Sequence, residues 1–156
     1  MHNLPQLFYL IIFLANPHKD LFDQSLQSDG IIDSAAENGV GFIGFSPLAQ
    51  GLLTDRYLGG IPSDSRMAKD PRYLHSDMLT PQVYKRISRL NDLAKQRGES
   101  LSSMALGWIL QNQKVTSVIV GASSPGQLSQ NLSALHSPKF SDEECSMIDE
   151  ILNIVE

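Results

Sequence analysis

Three short apolar runs, separated by stretches of helical periodicity, restrict this chain to one class of fold. Residues 8–14, 40–45 and 115–120 are rich in β-branched and aromatic side chains, and each stops at a turn signal: Asn16 and Pro17, Ser46 and Pro47, and Gly121. None alternates polar with apolar residues as a strand wetted on one face would, so each reads as a strand buried on both faces. Such strands followed by amphipathic helices predict an α/β protein with a parallel sheet and helices outside it. The count is too small for closure, since a barrel of this kind takes eight strands and roughly 250 residues, against 156 here.

The helices are punctuated clearly. Residues 31–38 predict a short helix with Ile31, Ile32, Ala35 and Ala36 inward and Gly39 as its stop. Beyond Ser46 a polar stretch running through Gly59, Gly60, Pro62 and Pro71 has neither period and reads as an excursion loop. Thr80 and Pro81 suit a helix start, with Val83, Ile87, Leu90 and Ala94 at helical spacing up to Gly98. Ser100 opens the next helix, whose stripe is Leu101, Met104, Ala105, Trp108 and Ile109. Ser124, Pro125 and Gln127 fit a capping box, and that helix carries Leu128, Leu132 and Leu135 on one face. Ser141 and Glu144 form a second box before a helix burying Ile148, Ile151, Leu152 and Val155.

Composition excludes several functions. A hydrophobic content of 42% suits a single globular core, and a net charge of -5 without long like-charge runs leaves no basic footprint for nucleic acid or a membrane surface. The apolar run LPQLFYLIIFLA at residues 4–15 is, at about 12 residues, too short for a spanning helix of roughly 20. No Lys or Arg precedes Lys19, as a secretory leader would require, so a buried strand is the reading. The single cysteine, Cys145, has no disulfide partner and fits a reducing cytoplasm as a partly buried group on a helix.

Two places carry chemistry, each following the C-terminal end of a predicted parallel strand, where α/β proteins bind ligands. Ser46, Pro47, Leu48, Gln50 and Gly51 offer a hydroxyl, backbone N–H groups and a glycine that admits close approach by a diphosphate; a plain connecting loop could look the same. Gly121 and Ser123 lead into the helix at Pro125, whose N-terminus favours an anion, although such ends also occur with nothing bound.

At these residues a family resemblance becomes specific. GFIGFSPLAQGLLTDRYL with GIPSDSR, and SVIVGASSPGQLSQNLSAL, resemble the last two strand-loop units of an aldo-keto reductase, in the subgroup of L-glyceraldehyde 3-phosphate reductases and potassium-channel beta subunits. The resemblance covers about Asn16 to Ile151. It divides the chain into a divergent apolar segment, residues 1–15, and the C-terminal part of an aldo-keto reductase domain, residues 16–156, a partial TIM (β/α)8 barrel. It implies NADPH as cofactor and hydride transfer to aldehydes or ketones. Ser46, Pro47, Leu48, Gln50 and Gly51 would lie along the diphosphate, with Arg56, Ser65 and Arg66 closing over the cofactor. Gly121, Ser123, Gln127, Gln130 and Asn131 would hold the adenosine and its 2′-phosphate. Asn16 stands where the family has a Gln against the nicotinamide, and Lys19 where an aromatic would stack on it.

The family's catalytic Tyr, Lys, Asp and His come from the first half of its barrel, and none of those motifs appears. Tyr57, Tyr73 and Tyr84 fall in segments matching the excursion loop and an outer helix, and His18, His75 and His136 read as surface histidines. The expectation is a truncated NADP-dependent oxidoreductase, inactive as this chain alone. Its rivals are a non-catalytic dinucleotide-binding or regulatory module, and a fragment completing a barrel with another chain or as a homo-oligomer.

Overall fold

A computed structural model describes residues 10–12, 30–69 and 74–154. Expectations resting on Asn16, His18, Lys19, Tyr73 and Val155 fall outside those residues. Three strands, β1 (Leu10–Ile12), β2 (Gly41–Phe45) and β3 (Val115–Ile119), form a parallel sheet in the order β1-β2-β3. Leu10 pairs with Gly41 and Phe45 with Ile119, with an irregularity after Phe42, whose partner is Val115 while Ile43 pairs with Ser117. The residue passed over is Thr116. Its hydroxyl accepts the Phe42 N–H at 3.1 Å, replacing the ladder carbonyl that the bulge removes. A Cβ at Gly41 would lie 3.0 Å from that hydroxyl, so any larger residue there would have to push the Thr116 side chain back.

The main helices begin where their caps say they should. Between β1 and β2 lies α1 (Ile31–Glu37), and α2 (Arg66–Lys69) is one turn within the excursion. Then come α3 (Pro81–Gln96), α4 (Leu101–Leu110), α5 (Pro125–Leu132) and α6 (Asp142–Leu152). The hydroxyls of Thr80, Ser100, Ser124 and Ser141 each accept an N–H from the first turn of α3 to α6. Only Ser141 completes a box, through the Glu144 carboxylate; the Gln127 side chain turns to Ser123 instead of to the cap residue. Two helices end on glycines at positive φ, Gly39 and Gly98, where the paired bonds Val40 N–H to Ala35 O with Gly39 N–H to Ala36 O, and Glu99 N–H to Ala94 O with Gly98 N–H to Lys95 O, satisfy the last carbonyls.

The core does not sit where the strands predict. Its larger part gathers Ala49, Leu52, Leu53, Tyr57, Met67 and Leu74 from the excursion against Ile87, Leu90, Leu101, Met104 and Ile148 of α3, α4 and α6. The aperiodic stretch is therefore a packed element, built of short 3-10 turns at Ala49–Gly51, Asp55–Tyr57 and Ser76–Met78. Among the described residues the sheet carries only a satellite cluster of Ile32, Phe42 and Val115, joined by Ile109 and Val118. For β2 and β3 the expectation of burial on both faces is thus corrected: Phe45 and Ile119 remain 42% and 51% exposed. Burial of a parallel sheet needs packing on both faces, and that cluster meets the sheet through α1 and α4.

Two further details depart from the periodicity. Ala36 is exposed, not inward, and α4 is buried all round from Leu101 to Gly107, wider than its predicted stripe. Helix α5 ends at Leu132 and passes into a 3-10 turn, Ser133–His136, leaving Leu128, Leu132 and Leu135 46%, 52% and 68% exposed.

Candidate functional site

The chain turns sharply after β2. Ser46, Ala49 and Gln50 take positive φ values of 53°, 51° and 57°, followed by Gly51 at 102°. A left-handed conformation costs about 1–2 kcal/mol at a residue with a side chain, so three in one turn mark a segment whose shape is held by its surroundings. Pro47, Ala49, Leu52 and Leu53 are buried and supply that hold. The N–H groups of Ala49, Gly51, Leu52 and Leu53 bond to carbonyls within the turn, so these backbone donors, part of the expected diphosphate cradle, are already engaged. What the turn presents outward is side chains. Arg66 Nη1 donates to Gln50 Oε1 at 2.6 Å, and Gln50 Nε2 donates to Ser46 Oγ at 3.2 Å, a relay tying the excursion to the end of β2.

After β3, Ser123 meets the first turn of α5. Its N–H and hydroxyl both donate to Gln127 Oε1, at 2.8 and 2.9 Å. Between the two strand ends lies a cavity of about 750 Å³. Ser46, Pro47, Leu48, Gln50, Gly51, Arg56, Arg66, Gly121, Ser123, Gln127, Gln130 and Asn131 all line it. Ser65 does not: it is fully buried, and its hydroxyl accepts the Ala68 N–H at 3.3 Å, so it starts the helical turn that carries Arg66.

The structure adds lining residues that sequence reasoning did not single out as site residues. Ser100 and Ser102 bring the N-terminus of α4 to the same cavity, and Thr54, Asp55, Tyr57 and Asp64 come from the excursion. Ser100 was legible as a cap; that its helix opens on this cavity was not. Arg56 Nη2 pairs with Asp64 Oδ2 at 2.8 Å, and the hydrogen bond and charge of Arg56 hold the Asp64 carboxyl below its ordinary range. Tyr57 lines the cavity but is only 2% exposed within the main core, and Tyr84 donates its hydroxyl to Leu58 O at 2.7 Å. His75 and His136 are exposed, and the described residues contain no cluster suited to a metal ion. No helix among them is long and apolar enough to cross a membrane.

Residues 7–153 match the sequence profile described as the Aldo/keto reductase family. The chain belongs to the aldo/keto reductase family. The family match begins inside the apolar segment that the sequence sets apart. Over 142 residues the chain is 44% identical to an L-glyceraldehyde 3-phosphate reductase of Escherichia coli O157:H7, covering 89% of this chain and 41% of that protein. It is 33% identical over 121 residues to a probable voltage-gated potassium channel subunit beta of Arabidopsis thaliana, covering 76% of this chain and 37% of the relative. Among solved structures, the glycerol dehydrogenase of Gluconobacter oxydans superposes with a TM-score of 0.65 at 25% identity, over 87% of this chain and 42% of its own. This aldo/keto reductase chain thus spans about two fifths of the length of the relatives it matches, and its parallel strands and outer helices are part of that barrel fold.

Proposed function

We propose that this chain supplies the part of an aldo/keto reductase that holds the diphosphate and adenosine of NADPH, and that by itself it does not reduce carbonyl compounds. The observation that carries this reading is the convergence of two stretches far apart in sequence, residues 46–66 and 121–131, on one cavity at parallel strand ends. The donor set suits the group. Arg56 and Arg66 present guanidinium forks of the kind that bind phosphate, Ser46 and Ser123 present hydroxyls, and Arg56 Nε is buried without a partner among the described residues. Asn131, buried and lining the cavity, would meet the adenosine with Gln127 and Gln130. The bound dinucleotide would supply a hydride for reduction of an aldehyde or ketone; this chain's own residues bind and orient its distant end.

The test is calorimetric titration of the chain with NADPH and NADH. Arg66→Ala and Ser123→Ala should each weaken NADPH binding, Arg66→Ala by about tenfold or more, as loss of a charge-assisted hydrogen bond implies. No Lys or Arg lies between Gly121 and Pro138, so NADPH should be preferred to NADH only modestly. Absent binding, or binding indifferent to both substitutions, rejects the site.

A second reading has its own support: relatives named as potassium channel beta subunits, and the exposed leucine face of α5, fit a non-catalytic module that associates with a complementary barrel half or with itself. Sedimentation showing a dissociable assembly that Leu132→Asp breaks would favour it. A single cysteine, Cys145, suits a reducing cytoplasm; burial and nearby carboxylates raise the pKa of its thiol.

A further inference from the structure

Arg56 and Asp64 stand at the two ends of a short connection and both line the cavity. Its anchors are firm: Tyr57 is 2% exposed and Ser65 fully buried. Between them Gly59, Gly60, Ile61, Ser63 and Asp64 are exposed, with Gly60 at a φ of 107°. The ion pair across this connection is lopsided. Arg56 engages the carboxylate through Nη2, while its Nε is buried with no partner among the described residues. A carboxylate in fork geometry would take two guanidinium N–H groups at once. Here the Asp64 side chain is 70% exposed, and an exposed pair of this kind contributes little to stability. Of the two carboxylates that line the cavity, Asp55 and Asp64, the one paired with a lining arginine makes little sense as a contact for an anion, but good sense as a stand-in for one.

We propose that Asp64 is a displaceable internal anion, which holds Arg56 until a diphosphate takes its place. A monovalent anion offers Arg56 no more than the tethered carboxylate already does, and must also overcome that carboxylate's local concentration. A diphosphate brings more charge and enough acceptors to engage Nη2 and, once the guanidinium turns away from Asp64, the now buried Nε as well. Asp64 thereby makes the site selective for polyanionic phosphates over simple carboxylates. For the physiological ligand this rests on the dinucleotide reading above.

Calorimetry with inorganic pyrophosphate, acetate and NADPH on the full chain tests it, using Asp64→Asn, Arg56→Gln and the double variant, each checked for an unchanged thermal midpoint. Asp64→Asn should tighten pyrophosphate and NADPH about three- to fivefold, the scale of an exposed ion pair, and narrow the margin over acetate. In the Arg56→Gln background the same substitution should gain nothing. Pyrophosphate should also shift the Arg56 Nε–H resonance of the unsubstituted chain. Unchanged or weaker binding by Asp64→Asn, an equal gain without Arg56, or an unmoved resonance overturns the exchange. If pyrophosphate behaves as expected and NADPH does not bind, the dinucleotide reading fails and the exchange stands. If NADPH binds through Ser123 and Arg66 but ignores Asp64 and Arg56, the exchange fails alone. Binding of neither removes both.

Discussion

Arg97 illustrates how a buried cation is accommodated in this chain. Its side chain is 4% exposed, with Nε on Glu99 at 2.9 Å, Nη1 on Glu144 at 2.6 Å and Nη2 on the Pro138 carbonyl at 2.7 Å. The guanidinium lies 3.8 Å from the Phe140 ring centroid, and Phe140 meets Trp108 edge-on at 5.0 Å. This one residue joins the end of α3 to the start of α6. Arg97→Ala strands Glu99 and Glu144, and should cost about 3–5 kcal/mol, the scale for breaking a buried pair from one side. Urea unfolding should show it as a lower midpoint with an unchanged slope. Glu144 gives a pH signature: the Ser141 N–H first, and then Arg97, hold its pKa below the ordinary 4.5. A carboxyl depressed in the folded state contributes its stabilisation above the unfolded value and loses it as pH falls through the folded one. Stability should therefore decline as the medium is acidified below about pH 4.5, and decline less in Glu144→Gln. The capping box at Ser141 and Glu144 was legible, being local; the Arg97 clamp was not, since it reaches a carbonyl 41 residues away.

At the scale of elements, helix starts were the most legible feature, because a cap is a bond between neighbours. Which faces are buried was less so. The apolar spacing of α5 is genuine, yet Leu132 is 52% exposed, while Leu106, outside the predicted stripe of α4, is 2% exposed. Periodicity reports that a face is apolar and leaves open what covers it. Leu106→Ala should destabilise the chain by about 2–5 kcal/mol, and Leu132→Ser should stay within about 0.5 kcal/mol, a contrast readable from thermal midpoints. Equal losses would mean that α5 packs as tightly as α4. The excursion is the other surprise. Its side chains follow no period because they pack from irregular turns, so the residues that make it core, such as Leu53 and Tyr57, look like loop residues in the sequence.

For the whole molecule, the cavity suits the proposed binding better than it suits turnover. A proton donor placed against a developing oxyanion typically contributes about 10²–10⁴-fold in rate. The tyrosines described are not so placed, since Tyr57 sits in the core and Tyr84 is bonded to Leu58. Following NADPH absorbance with methylglyoxal and glyceraldehyde, the chain alone should give no turnover within about a hundredfold of a full-length aldo/keto reductase, a margin inside that range. Turnover that survives purification and is lost in Tyr57→Phe would reveal an acid in an unexpected place.

What the sequence determined by itself is what neighbouring residues decide together: strand runs, caps, glycine stops, and the two stretches whose pattern identifies the family. These depend on backbone propensity and on bonds spanning a few positions. Only the tertiary structure decided that both stretches and the start of α4 open on one cavity, that Ser65 supports Arg66 from within, and that Arg56 is held by Asp64. Those outcomes depend on where irregular turns come to rest against distant helices, and no local pattern encodes that.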